Sequence, residues 1–174
     1  HLREDRRHIL DRDVHLLMET VRTGVNLELA VTSEILALAC EWRPMQATLV
    51  PEKREEVTTE GGLALTEPDQ MESTGEALAQ LVSSGIRTSL FIDPDEASIH
   101  AAADIGADAV ELHTGEYANA TVGTRAREIT RLSRASTLAS KLGLSVHAGH
   151  GLTYENVQPI VSIPEIEELN IGHS

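Results

Sequence analysis

The chain has 174 residues, of which 41% are hydrophobic and 2% aromatic, and its formal net charge is −14. This length and apolar content suit one domain with one core, whereas the negative charge and the few aromatic rings argue against nucleic acid as a partner. No apolar run approaches the roughly 20 residues of a membrane span, so we expect no membrane partner either. The single cysteine, Cys40, can form no internal disulfide, which favours a reducing cytoplasm.

The segment His1–His8 contains three arginines and two histidines in an otherwise acidic chain. Arginine is the preferred residue for bidentate contacts with phosphate, so a phosphate site is one interpretation. The other is a solvated loop in which arginines pair with nearby carboxylates. A helix is expected next, beginning at Asp11 or Asp13 and ending at Gly24.

Residues 25–30 predict a strand with one apolar and one polar face. Glu28 lies on the polar face near the C-terminal end, where a carboxylate is costly to bury without a partner or a chemical role. The alternative is an exposed edge strand with one wet face. A helix capped at Thr32–Glu34 and a short strand, Ala47–Val50, should follow.

The polar stretch 51–63 is long enough to predict a lid or binding loop with a hinge at Gly61 and Gly62, although a mobile surface loop is the alternative. A helix from Pro68 to Gly85 and a strand, Ile86–Ile92, follow. Asp93 is then expected to cap the next helix, with Pro94 in its first turn, so that Asp93 would be structural rather than catalytic.

The segment 109–115 predicts a strand on which Glu111 and His113 share one face. A long helix should span Thr124 to Leu142. The stretch 144–156 then reads as a strand, a glycine-rich turn with two histidines, and a short helix capped by Thr153; backbone N–H groups in such a turn can bind an anion. A last strand is expected over Glu168–His173.

Strands and helices thus alternate without a hairpin signal, which is typical of a parallel sheet. We count six strands and, ending at His1, the tail of another. Acid–base residues recur at the C-terminal strand ends, which favours a closed βα-barrel over an open sheet: His1, Glu28, Glu111, His113, His147, His150 and His173. A full eightfold barrel needs about 200 residues or more, so we expect residues 1–174 to be a single TIM-barrel domain without its first strand and helix and its last helix.

Eight stretches in chain order resemble the pyridoxine 5′-phosphate synthase family of vitamin B6 biosynthesis. They are His1–His8, Asn26–Glu28, Leu49–Lys53, Glu56–Leu63, Ser89–Asp93, Glu111–Gly115, Ala148–Tyr154 and Leu169–His173. The resemblance implies an α/β protein, a (β/α)8 TIM barrel, with transferase activity. Such an enzyme condenses 1-deoxy-D-xylulose 5-phosphate with 3-amino-2-oxopropyl phosphate to give pyridoxine 5′-phosphate, phosphate and water.

The resemblance also implies roles for individual residues. His1 and Glu28 match the proton acceptors, His150 the proton donor, and Glu111 the residue that stabilises the transition state. The positions that match substrate-binding residues are Arg3, His8 and Thr58 for the deoxyxylulose phosphate and Gly151, Gly172 and His173 for the amino-ketone phosphate. The family further implies a cytoplasmic homo-octamer that uses no metal and no cofactor.

Two other functions remain open from the residues themselves. Eight histidines and two glutamates at strand ends suggest a metal-dependent barrel hydrolase, although no close His-x-His pair is present. An inactive fragment or pseudoenzyme is the second alternative. The hydrolase would leave unused the two anion sites that the arginine cluster and the glycine turns suggest, and the acid–base residues retained at the strand ends argue against an inactive fragment.

Overall fold

The computed structural model describes residues 1–52 and 61–172. Six strands alternate with helices along this part of the chain. The strands are β1 Asn26–Ala30, β2 Gln46–Val50, β3 Arg87–Ile92, β4 Ala109–His113, β5 Ser145–Gly149 and β6 Ile166–Asn170. The helices are α1 Asp11–Thr20, α2 Ser33–Trp42, α3 Pro68–Ser83, α4 Glu96–Asp104, α5 Gly115–Asn119, α6 Val122–Lys141 and α7 Gln158–Val161.

The strands form one sheet in the order β1-β2-β3-β4-β5-β6, and every neighbouring pair is parallel. The sheet is curled into a half-barrel. Its curl brings the two edge strands close enough for Asn26 of β1 to donate a hydrogen bond across the interior to Glu168 of β6 at 3.1 Å. Leu2 forms a parallel bridge with Leu29, so the first residues lie beside β1 as the tail of a further strand would. The predicted parallel, barrel-like fold is therefore confirmed.

The hydrophobic core lies between the outer face of the sheet and the helices. Leu27 and Leu29 of β1 face this core, while Asn26 and Glu28 face the barrel interior, as their alternation predicts. The other strands repeat this division. Outward residues such as Leu49, Leu90, Ile92, Val110, Leu112, Val146 and Ala148 are buried with Ile35, Leu78, Leu81, Ile99, Leu132 and Ala139 of the helices.

The prediction that Asp93 caps α4 is wrong. The N-cap is Asp95, whose side chain accepts hydrogen bonds from the backbone N–H of Ser98 at 2.9 Å and from its hydroxyl at 2.8 Å. Asp93 instead accepts a hydrogen bond from Nδ1 of His113 on the neighbouring strand at 3.1 Å. The contact with the neighbouring strand engages Asp93, and the side chain of Asp95 caps the helix.

The glycine-rich turn also differs from the sequence prediction. Thr153 caps a turn rather than a helix: its hydroxyl oxygen accepts a hydrogen bond from the N–H of Glu155 at 3.2 Å, and its own N–H donates to the side chain of Asn156 at 2.7 Å. The short helix α7 begins later, at Gln158, and α5 was not predicted at all. Of the predicted loop over 51–63, residues 53–60 lie outside the described part of the chain.

No helix within residues 1–52 and 61–172 is both long and apolar enough to cross a membrane. Cys40 is half-buried and packs against the hydrophobic core, in agreement with its interpretation as a small apolar residue.

Replacing Asp95 with Ala should lower the free energy of unfolding by about 1 kcal/mol, because the first turn of α4 loses its side-chain cap. Urea unfolding monitored by circular dichroism measures the change. Asp104→Ala, at the exposed last position of the same helix, is the matched control and should leave stability nearly unchanged. Equal midpoints for the two variants would contradict this assignment of the cap.

Candidate active site

A cavity of about 690 Å³ opens at the C-terminal ends of the strands. It is lined by His1, Arg3, His8, Glu28, Val50, Phe91, Glu111, His150, Gly151, Leu152, Leu169, Asn170, Ile171 and Gly172. Eight of these were selected from the sequence: His1, Arg3, His8, Glu28, Glu111, His150, Gly151 and Gly172. The two remaining predicted site residues, Thr58 and His173, lie outside the described part of the chain.

The parallel sheet explains why these distant residues meet. Glu28 lies near the end of β1, Glu111 near the end of β4, His150 directly after β5 and Gly172 two residues after β6. Since all strands run in the same direction, their C-terminal ends form one rim. Residue Leu2, whose N–H donates to the carbonyl of Glu28 at 3.0 Å, holds the N-terminal segment at the same rim.

Glu111 is the most strongly perturbed carboxyl group of the site. Glu111 is only 3% exposed, and Nδ2 of Asn170 donates a hydrogen bond to its Oε2 at 2.7 Å. Burial, followed by the nearby charges of Glu28 and Glu168, raises the pKa of Glu111 from 4.5 to about 8. The group is therefore protonated at neutral pH. Its pKa also lies close to neutral pH, where a general acid or base is most effective.

Glu111 reaches this position because Gly149 has no side chain. A β carbon at Gly149 would overlap with Oε1 of Glu111 and approach the carbonyl oxygen of Asn170 to 3.0 Å. The sequence interpretation gave the glycines of this turn an anion-binding role. The structure shows a different reason for a glycine at position 149, because any side chain there would occupy the space of the Glu111 carboxyl group.

His1 lies between two carboxylates. Its Nδ1 is 3.9 Å from Oε2 of Glu28, and its Nε2 is 3.4 Å from Oε2 of Glu52. The other carboxylate oxygen of Glu52 accepts a hydrogen bond from the N–H of Glu4 at 3.1 Å and lies 3.7 Å from Nη2 of Arg3. Glu52 thus ties His1 and Arg3 together at the end of β2.

The arginine cluster divides into two kinds of environment. Arg3 lines the cavity and is only 4% exposed, which supports the phosphate-site interpretation for this residue, although its Nε also lies 3.4 Å from Oδ1 of Asp5. Arg6 forms ion pairs with Asp11 and Glu34, and Arg7 pairs with Asp5. The alternative interpretation of solvated local pairs therefore describes Arg6 and Arg7.

His150 has a fixed backbone. Its φ angle of +83° lies in the left-handed region, and the Thr114 hydroxyl lies 2.7 Å from the carbonyl oxygen of Gly149 and 2.6 Å from that of His150 itself. Burial, followed by the charge of His113, lowers the pKa of His150 below its ordinary value of 6.5, while Glu28 opposes the shift. The imidazole is therefore neutral at pH 7, and its protonated form is a comparatively strong acid.

The other two histidines of the predicted rim do not line the cavity. His147 is buried deeper in the barrel, where its Nδ1 is 3.7 Å from Oε1 of Glu168 and where desolvation lowers its pKa. His113 turns toward Asp93. Sequence reasoning left both residues without a role, and neither touches the cavity directly.

Sequence reasoning did not select three residues of this site. Glu52 follows β2 by two positions, and Asn170 ends β6, so position at a strand end was the available signal. Phe91, the single phenylalanine of the chain, packs against His113 and His150 with ring centroids 5.2 and 6.4 Å away. The local sequence around Phe91 does not indicate that its ring contacts these two histidines.

Within residues 1–52 and 61–172, no three His, Cys, Asp or Glu side chains are grouped so that they could hold a metal ion. The alternative of a metal-dependent hydrolase rests on such a group. The arrangement that the described residues do form is a set of imidazoles and carboxyls suited to proton transfer.

The chain is similar to known proteins of one family. The family model described as "Pyridoxal phosphate biosynthesis protein PdxJ" matches residues 1–174. The chain is 58% identical over 175 residues to a pyridoxine 5′-phosphate synthase of Synechococcus sp., with 100% of this chain and 72% of the relative covered. It is 55% identical over 175 residues to a pyridoxine 5′-phosphate synthase of Magnetococcus marinus, with 100% and 71% covered.

A solved structure with a related fold is the BexX/CysO complex of Amycolatopsis orientalis. The TM-score is 0.57 at 16% sequence identity, and the match covers 97% of this chain and 66% of that chain. At this identity the likeness shows a shared fold only.

The raised pKa of Glu111 predicts a specific pH dependence of stability. Below pH 4.5 Glu111 is protonated in the folded and the unfolded chain; between pH 4.5 and about 8 only the unfolded chain releases this proton. Stability is therefore lost through this window as the pH rises, by at most about 1.4 kcal/mol per pH unit. Glu111→Gln, which cannot ionise, should lack this loss.

Urea unfolding of wild type and Glu111→Gln at intervals from pH 5 to pH 8 measures the difference directly, since the other groups are common to both proteins. Glu19→Gln on α1 is the control. A constant difference between wild type and Glu111→Gln across the series would show that the pKa of Glu111 is not raised.

Proposed function

The chain belongs to the PdxJ family of pyridoxal phosphate biosynthesis proteins, and on this basis we propose that it is a pyridoxine 5′-phosphate synthase. The observation that carries the proposal is the family match over residues 1–174, and the eight predicted residues that share one cavity support it. The reaction condenses 1-deoxy-D-xylulose 5-phosphate with 3-amino-2-oxopropyl phosphate and closes the pyridine ring. Phosphate and water are released.

Ring closure requires several proton transfers, because an imine forms, water and phosphate leave, and an aromatic ring is completed. Opposite perturbations of two groups support such chemistry. The pKa of Glu111 is raised and the pKa of His150 is lowered, so at neutral pH the carboxyl carries a proton and the imidazole is uncharged. A metal-free acid–base mechanism is consistent with this donor set.

We assign the individual roles as follows. His1 and Glu28 accept protons, and their ring and carboxylate lie within 3.9 Å of each other. His150 donates a proton after its neutral imidazole has taken one up, and its lowered pKa makes the protonated ring a better acid than an ordinary imidazolium. Glu111, held protonated by burial, donates a hydrogen bond to charge that develops on the substrate and so stabilises the transition state.

Two phosphate groups require two anion sites. Arg3 and His8, with Thr58 from outside the described residues, form the site for the deoxyxylulose phosphate. The burial of the Arg3 guanidinium beside the cavity supports this assignment, because few water molecules there compete with a phosphate. The site gives the sugar phosphate both charge and orientation.

Gly151 and Gly172, with His173 from outside the described residues, form the site for the amino-ketone phosphate. Both glycines line the cavity near the ends of β5 and β6, the region where βα-barrels often bind phosphate. Because α7 begins only at Gln158, we assign anion binding to the backbone N–H groups of the turns rather than to a helix start.

We also propose that the protein is a cytoplasmic homo-oligomer, an octamer by resemblance to its family, and that residues 1–174 belong to one barrel domain. Exposed apolar side chains on and beside α1 support association with another chain, since Leu16 and Leu17 are 60% and 43% exposed. The chain spans 72% and 71% of the length of the two relatives compared above.

Glu28→Gln should abolish formation of pyridoxine 5′-phosphate and leave the affinity for both substrates within a few-fold of wild type. The amide keeps the shape of the side chain but cannot accept a proton. Chromatographic detection of the product, together with calorimetric titration of each substrate, separates turnover from binding. Glu19→Gln is the control, and turnover by Glu28→Gln at the wild-type rate would remove Glu28 from the mechanism.

Arg3→Ala should raise the KM for 1-deoxy-D-xylulose 5-phosphate by about tenfold or more and change the KM for 3-amino-2-oxopropyl phosphate much less. Arg12→Ala removes an arginine that is 80% exposed on α1 and is the matched control. Steady-state kinetics with one substrate varied at a time gives both constants. Equal changes in the two KM values would argue against an Arg3 contact with the sugar phosphate.

A further inference from the structure

His113 is a nearly buried imidazole to which the proposed mechanism gives no role. Its side chain is 10% exposed, and Nδ1 lies 3.1 Å from Oδ1 of Asp93. Its Nε2 is buried and has no hydrogen-bond partner within the described part of the chain. A buried ring nitrogen without a partner costs stability, so packing alone does not explain why an imidazole stands here.

Asp93 holds the His113 ring in one orientation. The pKa of Asp93 is lowered, first by the hydrogen bond from His113 and then by the backbone N–H of Gly62. The positive charge of Arg131 on α6 also favours the anion. Because an ionised carboxylate can only accept hydrogen bonds, Nδ1 of His113 carries the proton and Nε2 of the neutral ring is bare.

The fixed ring of His113 packs against His150. The two ring centroids are 4.9 Å apart, and the planes meet at 63°. Phe91 covers both rings from β3. A β carbon at Gly115 would overlap with Nε2 of His113 and approach Cδ2 of His150 to 3.2 Å, so the absence of a side chain there allows the two imidazoles to meet.

We propose that Asp93 and His113 form a positioning pair for His150. The pair holds the His150 imidazole against the cavity and disfavours positive charge on both imidazoles at once. The charged and titratable groups that face His150 are His113 from β4 and Glu28 from β1. Asp93, and behind it Arg131, face His113 from the other side. His113 does not line the cavity, so it acts on the substrate only through His150.

When Nε2 of His113 also takes up a proton, the ring becomes positively charged, and this charge gives the arrangement a direction. A proton on His113 raises the energy of a proton on His150, so His150 releases its proton more readily than an isolated imidazole would. The pKa of His150 is lowered by burial and then by His113, in agreement with this effect. The inference rests on the proposed function, because it takes His150 as the proton donor in ring closure.

The test is an NMR titration of the histidine Cε1–H resonances in the 174-residue chain without substrate, with His150 assigned by the loss of its signal in His150→Asn. In His113→Asn the midpoint of His150 should rise by about 0.5 pH unit. His100→Asn is the matched control, because it removes an exposed histidine that lies 3.9 Å from Glu96, and it should leave His150 unchanged. Since no substrate is present, the result does not depend on whether the protein makes pyridoxine 5′-phosphate.

An unchanged His150 midpoint in a folded His113→Asn chain would overturn the proposal. If this variant fails to fold, Asp93→Asn decides, because it keeps the ring and removes only the negative charge. The ¹⁵N shifts of His113 should then report a mixture of tautomers, where wild type has the proton on Nδ1. The same tautomer population in both proteins would contradict the role given to Asp93.

Discussion

The burial of the Glu111 carboxyl is the constraint on which the active-site end of the barrel depends. An ionised carboxylate at this depth would lack solvation, so the group keeps its proton to about pH 8. Two neighbouring strands make this burial feasible. Gly149 of β5 leaves room for Oε1, and Asn170 of β6 donates to Oε2. The register of the sheet pairs Gly149 with Asn170 and so brings both features to the same level.

The barrel separates its polar and apolar groups onto the two faces of each strand. The outward faces, with Leu90 and Val110 among them, form the hydrophobic core with the helices. The inward faces carry hydrogen-bonding groups, such as Asn26, which accepts from Thr48 and donates to Glu168. Because stability comes from the outer layer, the interior can hold ionisable side chains at the rim.

The N-terminal segment completes the site from outside the six strands. Leu2 pairs with Leu29, and this bridge places His1 beside Glu28 and Arg3 beside Glu52. Four ionisable groups from three stretches of the chain therefore share one network, in which His1 links Glu28 to Glu52. On the opposite side of the cavity, His150 depends in turn on His113 and Asp93. Both proposed proton-transfer regions are thus supported by residues that do not themselves face the substrate.

The sequence by itself determined the strands, their parallel arrangement and several of the ionisable residues that meet at the rim. Alternation fixes which side chains share a face, and the absence of hairpin turns implies crossovers, so Glu28, Glu111 and His150 could be selected without coordinates. Only the tertiary structure decided that Asp95 rather than Asp93 caps α4, that Asp93 binds His113, and that Gly149 and Asn170 hold Glu111. The cap is a local contact whose position depends on where α4 begins, whereas the other contacts join residues of different strands or strand ends. Their partners depend on register and on the curl of the sheet, which are set by packing of the whole barrel and leave no periodic signal in the local sequence.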